Sequence, residues 1–90
     1  MFPRVTAVHY LDEYRLELAF TDGIVGIIDF KDRVVGRGGV FAPLESKGFF
    51  SQVKVDSEAG TIVWPNDVDF CPDVLYSLAT GRAIPLLKSA

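Results

Sequence analysis

Three aspartates, Asp67, Asp69 and Asp73, fall within seven residues, and carboxylates so closely spaced are the oxygen ligands a divalent cation prefers. The spacing is not that of an EF-hand. Asp69 and Asp73 also flank Cys71-Pro72, which reads as a helix start, and there carboxylates serve orphan amides and the positive end of the helix dipole without any ligand. The capping role is preferred, so no metal or other cofactor is expected. His9 and Cys71 are the one histidine and the one cysteine of the chain, a base and a nucleophile if they meet. Such a dyad needs contact, a lowered thiol pKa and a third group to orient the imidazole. The sequence supplies no third group, and a buried cysteine and a strand histidine are ordinary structural residues. No catalytic residues are assigned.

Gly36-Arg37-Gly38-Gly39, with Lys31 and Arg33 upstream, has the glycine content of a phosphate loop. It lacks the lysine at fixed spacing that such loops carry, and a flexible connection is the simpler reading. The residues read as a candidate interaction surface are Trp64, Asn66 and Tyr76, together with Ile84, Leu86 and Leu87 of an apolar C-terminal tail. Large amphipathic rings beside turns anchor many interfaces. For Trp64 the alternative is a place in the core beneath the last helix.

The elements that must position these residues follow from periodicity. Val5 to Leu11 reads as a strand with both faces partly used. Tyr14, Leu16, Leu18 and Phe20 alternate with Arg15, Glu17 and Ala19 in the strict period of two of a half-buried strand. Asp12-Glu13 and Thr21-Asp22-Gly23 are the turns on either side, so a three-strand meander ends in Ile24 to Phe30. That third strand is apolar on both faces, as in a central or doubly covered position. From Val40 to Phe50, pieces broken by Pro43 and Gly48 predict one or two helical turns that lay Phe41, Leu44 and one of Phe49 or Phe50 on the sheet. Val53 to Asp56 and Thr61 to Trp64 form a second hairpin. Val74, Leu75, Leu78 and Ala79 make a short helical stripe that Gly81 closes. The fold class is therefore α+β, a curved antiparallel sheet with a second hairpin and one or two short helices. Residues 5–81 form the body of a single domain and 82–90 the tail.

Ninety residues bury roughly 64% of the unfolded surface, enough for one modest core. Enzyme-sized clefts usually need more scaffold or a second chain. Nine basic residues oppose twelve acidic ones, a net charge of −3, and between Gln52 and Tyr76 a single cation, Lys54, faces five acids. This balance lacks the basic footprint of a DNA-binding domain, so no direct nucleic acid binding is expected. A lone cysteine suits a reducing compartment and excludes an internal disulfide. With neither a membrane span nor a signal sequence, the expected location is cytoplasmic.

Tyr14-x-Leu16-x-Leu18-x-Phe20-x-Asp22-Gly23, Phe41-x-x-Leu44, Phe49-Phe50, Val55-Asp56, Gly60-x-Ile62-x-Trp64-Pro65-Asn66 and Asp69-x-x-Pro72-Asp73-x-Leu75-Tyr76 occur in that order. Together they resemble the small bacterial domain-of-unknown-function family numbered 2442, over roughly residues 5 to 80. One departure is Asp67, where the family usually carries glycine, which takes positive φ more easily than aspartate. The resemblance implies an α+β domain with a curved antiparallel sheet, and no established activity. It also implies company: members stand alone, beside a toxin–antitoxin type of partner gene, or ahead of a helix-turn-helix module.

The expected function is thus a non-enzymatic interaction or regulatory module that meets a protein partner or forms a homodimer, using edge strands or the tail. Alternatives are an accessory or antitoxin-like component of a toxin–antitoxin or transcription-regulating complex and, less favoured, a small-ligand or metal-dependent enzyme.

Overall fold

The structure is a computed structural model that describes residues 3–81. Strands β1 (Val5–Asp12), β2 (Arg15–Phe20) and β3 (Val25–Asp29) form an antiparallel meander in the order β1-β2-β3. A single helical turn, α1 (Lys31–Val34), follows. A 3-10 stretch (Gly39–Glu45) and another short turn, α2 (Lys47–Phe50), lead to the hairpin β4 (Lys54–Asp56) and β5 (Thr61–Val63), and the described chain ends in α3 (Pro72–Thr80). The α+β class expected from the sequence is the one observed.

Strict alternation made β2 the clearest strand, and β2 is the centre of the sheet. Leu16, Leu18 and Phe20 point into the core, while Arg15 is exposed and Glu17 and Ala19 half-buried on the other face. The first turn sits one residue later than the sequence suggests, at Glu13-Tyr14, with Glu13 at φ 46. The closing pair explains the shift: Asp12 pairs with Arg15 in register, and the guanidinium meets both carboxylate oxygens at 2.7 Å.

Under the sheet, Phe30, Phe50, Trp64 and Phe70 pack ring on ring, with centroids 5.3 to 6.1 Å apart. Edge and tilted contacts of this kind suit the ring quadrupoles. Val34 and Leu44 bring α1 and the 3-10 stretch into the same core. The second hairpin is held to the first sheet at β1, where the Val5 amide donates to the Gly60 carbonyl at 2.9 Å. Arg4 adds two bonds from its guanidinium to the Ser57 and Glu58 carbonyls.

The third strand departs from expectation. β3 is an edge strand rather than a central or doubly covered one, because among the described strands it pairs with β2 alone. Its inner face is covered at Gly26 by α3, and its outer face leaves Val25 58% and Ile27 55% exposed. α3 begins with Pro72 in its first turn and ends at Gly81, whose φ of 74 is the left-handed cap read from the sequence.

Candidate functional site: an open strand edge and its sheet face

The strongest unpartnered feature of the described residues is the outer side of the meander. The amide of Phe20 donates to Ile24, and that of Phe30 to Tyr14. Antiparallel pairing alternates, so Ile24, Gly26 and Ile28 turn their amides toward β2, while Val25, Ile27 and Asp29 turn theirs to the open edge. The same two residues whose outward backbone groups have no strand partner among the described residues, Val25 and Ile27, offer exposed β-branched side chains. Beside them on the outer face lie Ala19 and Glu17 of β2, then Ala7 and His9 of β1. An edge with this composition is suited to strand addition.

A second feature is basic. Lys31 and Arg33 on α1 and Arg37 just beyond are exposed, and none of the three forms a salt bridge among the described residues. Arg37 donates through Nε to the Asp32 carbonyl at 3.1 Å. Gly36, Gly38 and Gly39 all have positive φ, between 54 and 76, so this loop's course depends on glycine. Glu45 accepts the Gly36 amide and partly occupies the loop's donors.

An open cleft of about 520 Å³ lies between Glu13, Tyr14, Arg15, Asp29, Lys31 and Lys47. Its charged groups are largely engaged with each other or with neighbours: Lys47 with Glu13, Arg15 with Asp12, and Asp29 with the Lys31 amide. Arg15 holds the Asp12 carboxyl below the usual carboxylate range, chiefly through their hydrogen bond. Glu13 likewise raises the Lys47 ammonium.

The candidate interaction residues do not form one surface. Trp64 is 1% exposed and donates through Nε1 to the Phe50 carbonyl at 2.9 Å, so it is a core residue, packed against Phe30, Phe50 and Phe70. Tyr76 is also buried, against Phe20, with its hydroxyl donating to Asp22. Both rings are spent inside because a chain of this size fills its core with its largest side chains. Asn66 is exposed and donates through Nδ2 to the Val40 carbonyl, which braces the Trp64–Asp67 turn against the loop before the core. Ile84, Leu86 and Leu87 lie outside the described residues.

His9 stands on the outer face of the sheet and Cys71 begins the helix on the inner side, so the two do not form a dyad. The three aspartates do not converge either: among the described residues no group of acids, histidine and cysteine is arranged to hold a metal. Asp69 bridges to Val63 in a strand-like pair, and no side chain caps α3, which corrects the capping role read for these acids. Only Asp73 remains in the first turn, where the dipole favours it. The edge of β3 escaped sequence reading because an apolar run of five looks the same in a covered strand and in one awaiting cover.

A three-strand meander backed by a hairpin and a short helix defines a small α+β domain. The chain belongs to the family described as Protein of unknown function (DUF2442), which it matches over residues 5–81. No curated protein matches it significantly. Among solved structures it is similar to the crystal structure of "Putative DNA Binding Protein NE0471" from Nitrosomonas europaea, with a TM-score of 0.76 and 28% identity. The likeness covers 90% of this chain and 51% of that one, so this chain spans about half the length of its structural relative. This finding overturns the expectation, drawn from a net charge of −3, that nucleic acid has no direct part. Net charge averages over faces: five of the twelve acids lie between β4 and the start of α3, while Lys31, Arg33 and Arg37 lie on α1 and its loop, with Asp32 among them. Among the described residues no helix is long and apolar enough to cross a membrane.

Proposed function

We propose that this domain is a non-enzymatic regulatory module of a DNA-binding assembly in the cytoplasm. The observation that carries the reading is the 28% identity over 90% of this chain to half of a protein described as DNA-binding. The described residues add two supports: no assembled catalytic set, and an apolar sheet face of the kind that docks a partner or a second module. DNA contact by the domain itself would fall to Lys31, Arg33 and Arg37, whose charges are exposed and carry no ion pair among the described residues.

Crosslinking in the native cell, followed by recovery of DNA with the tagged chain, tests this. Enrichment of discrete DNA sites over an untagged control is the expected result, and recovery equal to the control overturns it. Fluorescence anisotropy with a short duplex then assigns the contact. Binding that weakens with salt and is lost in the triple variant K31Q/R33Q/R37Q places DNA on this domain; no binding by the isolated chain places it on a protein partner.

A further inference from the structure

Along β3 the same residues, Val25, Ile27 and Asp29, carry the outward backbone groups and the side chains of the outer face. Whatever bonds to this edge therefore also meets two exposed apolar side chains and one acid. Asp29 stands beside Arg15 of β2 on that face. The two ends of the strand differ in charge: the turn before it carries Asp22, and α1 after it carries Lys31 and Arg33 with Asp32 between them. On the inner side, α3 lies beneath the half nearer Asp22. Tyr76 reaches Asp22, and Ala79 packs on Gly26 so closely that a Cβ at residue 26 would stand 2.7 Å from the Ala79 Cβ.

We propose that this edge pairs antiparallel with the same edge of a second copy, about a two-fold axis at Ile27, so that two meanders join into one continuous sheet. Two-fold symmetry brings an edge strand against its own copy in the antiparallel sense. With the axis at Ile27, Val25 faces the partner's Asp29 and Ile27 faces the partner's Ile27, and every outward residue of β3 joins a pair that exchanges two backbone bonds. Moving the axis to Gly26 would set Asp29 against the partner's Gly23, whose amide already bonds the Phe20 carbonyl of its own turn. A slip of a single residue in pairing would set outward groups against inward ones and forfeit the ladder. Charge follows the same axis: the end of each copy that carries Lys31 and Arg33 meets the Asp22 turn of the other. The helices agree, because antiparallel pairing sets α3 and its counterpart under opposite halves of the joined strands instead of side by side. An edge of five residues is small beside the roughly 1,600 Å² of a standard interface, so association depends on concentration. This inference goes beyond the DNA-assembly reading and does not depend on it.

Sedimentation equilibrium and amide hydrogen exchange of the full chain, from low micromolar to millimolar concentration and without DNA, test it. A dimer is expected at the upper end, with the Val25 and Ile27 amides exchanging about tenfold more slowly there than at the lower end. The Gly26 and Ile28 amides, bonded to β2, are internal references that report an intact meander in every variant. Ile27→Lys sets two ammonium groups opposite each other on the axis and is expected to abolish the dimer. Val25→Lys sets an ammonium opposite the partner's Asp29 and is expected to keep it. A chain that stays monomeric at millimolar concentration overturns the proposal, as does a dimer that survives Ile27→Lys or is lost equally in Val25→Lys. Protection of Val25 and Ile27 that is indifferent to dilution also overturns it, since it would assign the edge to another segment of the same chain. DNA recovery in the cell has no bearing on these measurements, so either reading can fail alone.

Discussion

The Tyr76 hydroxyl donates to Asp22 Oδ2 at 2.6 Å, joining residues 54 apart in sequence and fastening α3 to the β2–β3 turn. The other oxygen of the same carboxylate accepts the Ile24 amide at 3.0 Å. One aspartate therefore shapes the turn and receives the helix. The Tyr76 ring adds an edge contact to Phe20, centroids 5.1 Å apart and planes at 90°. Tyr76→Phe keeps that contact and removes only the hydroxyl. Its expected cost is about 1–2 kcal/mol, since the acceptor is charged and the turn is open to water. Urea unfolding measures it as a lower midpoint at unchanged slope. An unchanged midpoint would show that ring packing alone holds the helix.

Gly26 supplies a second fastening of the same helix. The groups that a side chain would meet there include the Ala79 carbonyl oxygen and carbon, at 2.7 and 3.1 Å, and backbone cannot swing aside as a flexible side chain can. Gly26→Ala is expected to destabilise by about 1–3 kcal/mol, the range of overpacked sites. Adding Ala79→Gly should not restore stability, because the carbonyl stays. Full rescue in the double variant, read by thermal or urea unfolding, would place the conflict at the Ala79 methyl instead.

How much of this was legible in the sequence depended on what each residue faces. Leu16, Leu18 and Phe20 face the core and Arg15, Glu17 and Ala19 do not, so β2 wrote its position into its pattern. β3 did not, because Val25 and Ile27 are apolar on a face left open among the described residues. The single turn α1 was also invisible: four residues carry no period, and only the buried Val34 marks its inner side. Trp64 and Tyr76 looked like anchors by residue type, but burial is set by neighbours distant in sequence, Phe50 and Asp22, that no local window contains. The site was legible in part, as an edge-prone meander, without the pairing that leaves β3 on its edge among the described strands.

Asp67 takes φ 67, the left-handed conformation that glycine adopts more cheaply, at the end of a turn closed by its amide on the Trp64 carbonyl at 2.9 Å. Glycine would take this backbone without a Cβ conflict, so aspartate is the strained residue here. Asp67→Gly is expected to stabilise by up to about 1 kcal/mol, as relief of the Cβ conflict outweighs the greater freedom of the unfolded chain. It also removes one acid near Asp56 and Glu58, which line the same open surface. A fall in melting temperature would mean that the carboxylate has a role the turn geometry does not reveal.

Two surface pairs fix the expected response to pH. Arg15 depresses the Asp12 carboxyl by hydrogen bond and charge, so the pair's contribution is present above the unfolded-state pKa of Asp12 and lost as pH falls through the lower folded value. Glu13 raises the Lys47 ammonium, so that contribution is present below the unfolded-state pKa of the lysine and lost as pH rises through the higher folded value. Both pairs are exposed and screened by water, and each closes or borders the β1–β2 turn. The visible consequence is therefore local rather than global. In Arg15→Gln the Asp12 carboxyl should titrate nearer its ordinary value, followed by carboxyl-carbon NMR, while the global unfolding midpoint at neutral pH shifts little. An Asp12 titration unaltered by Arg15→Gln would remove the guanidinium as the cause, and with it the reason given for the turn settling on Glu13-Tyr14 instead of Asp12-Glu13.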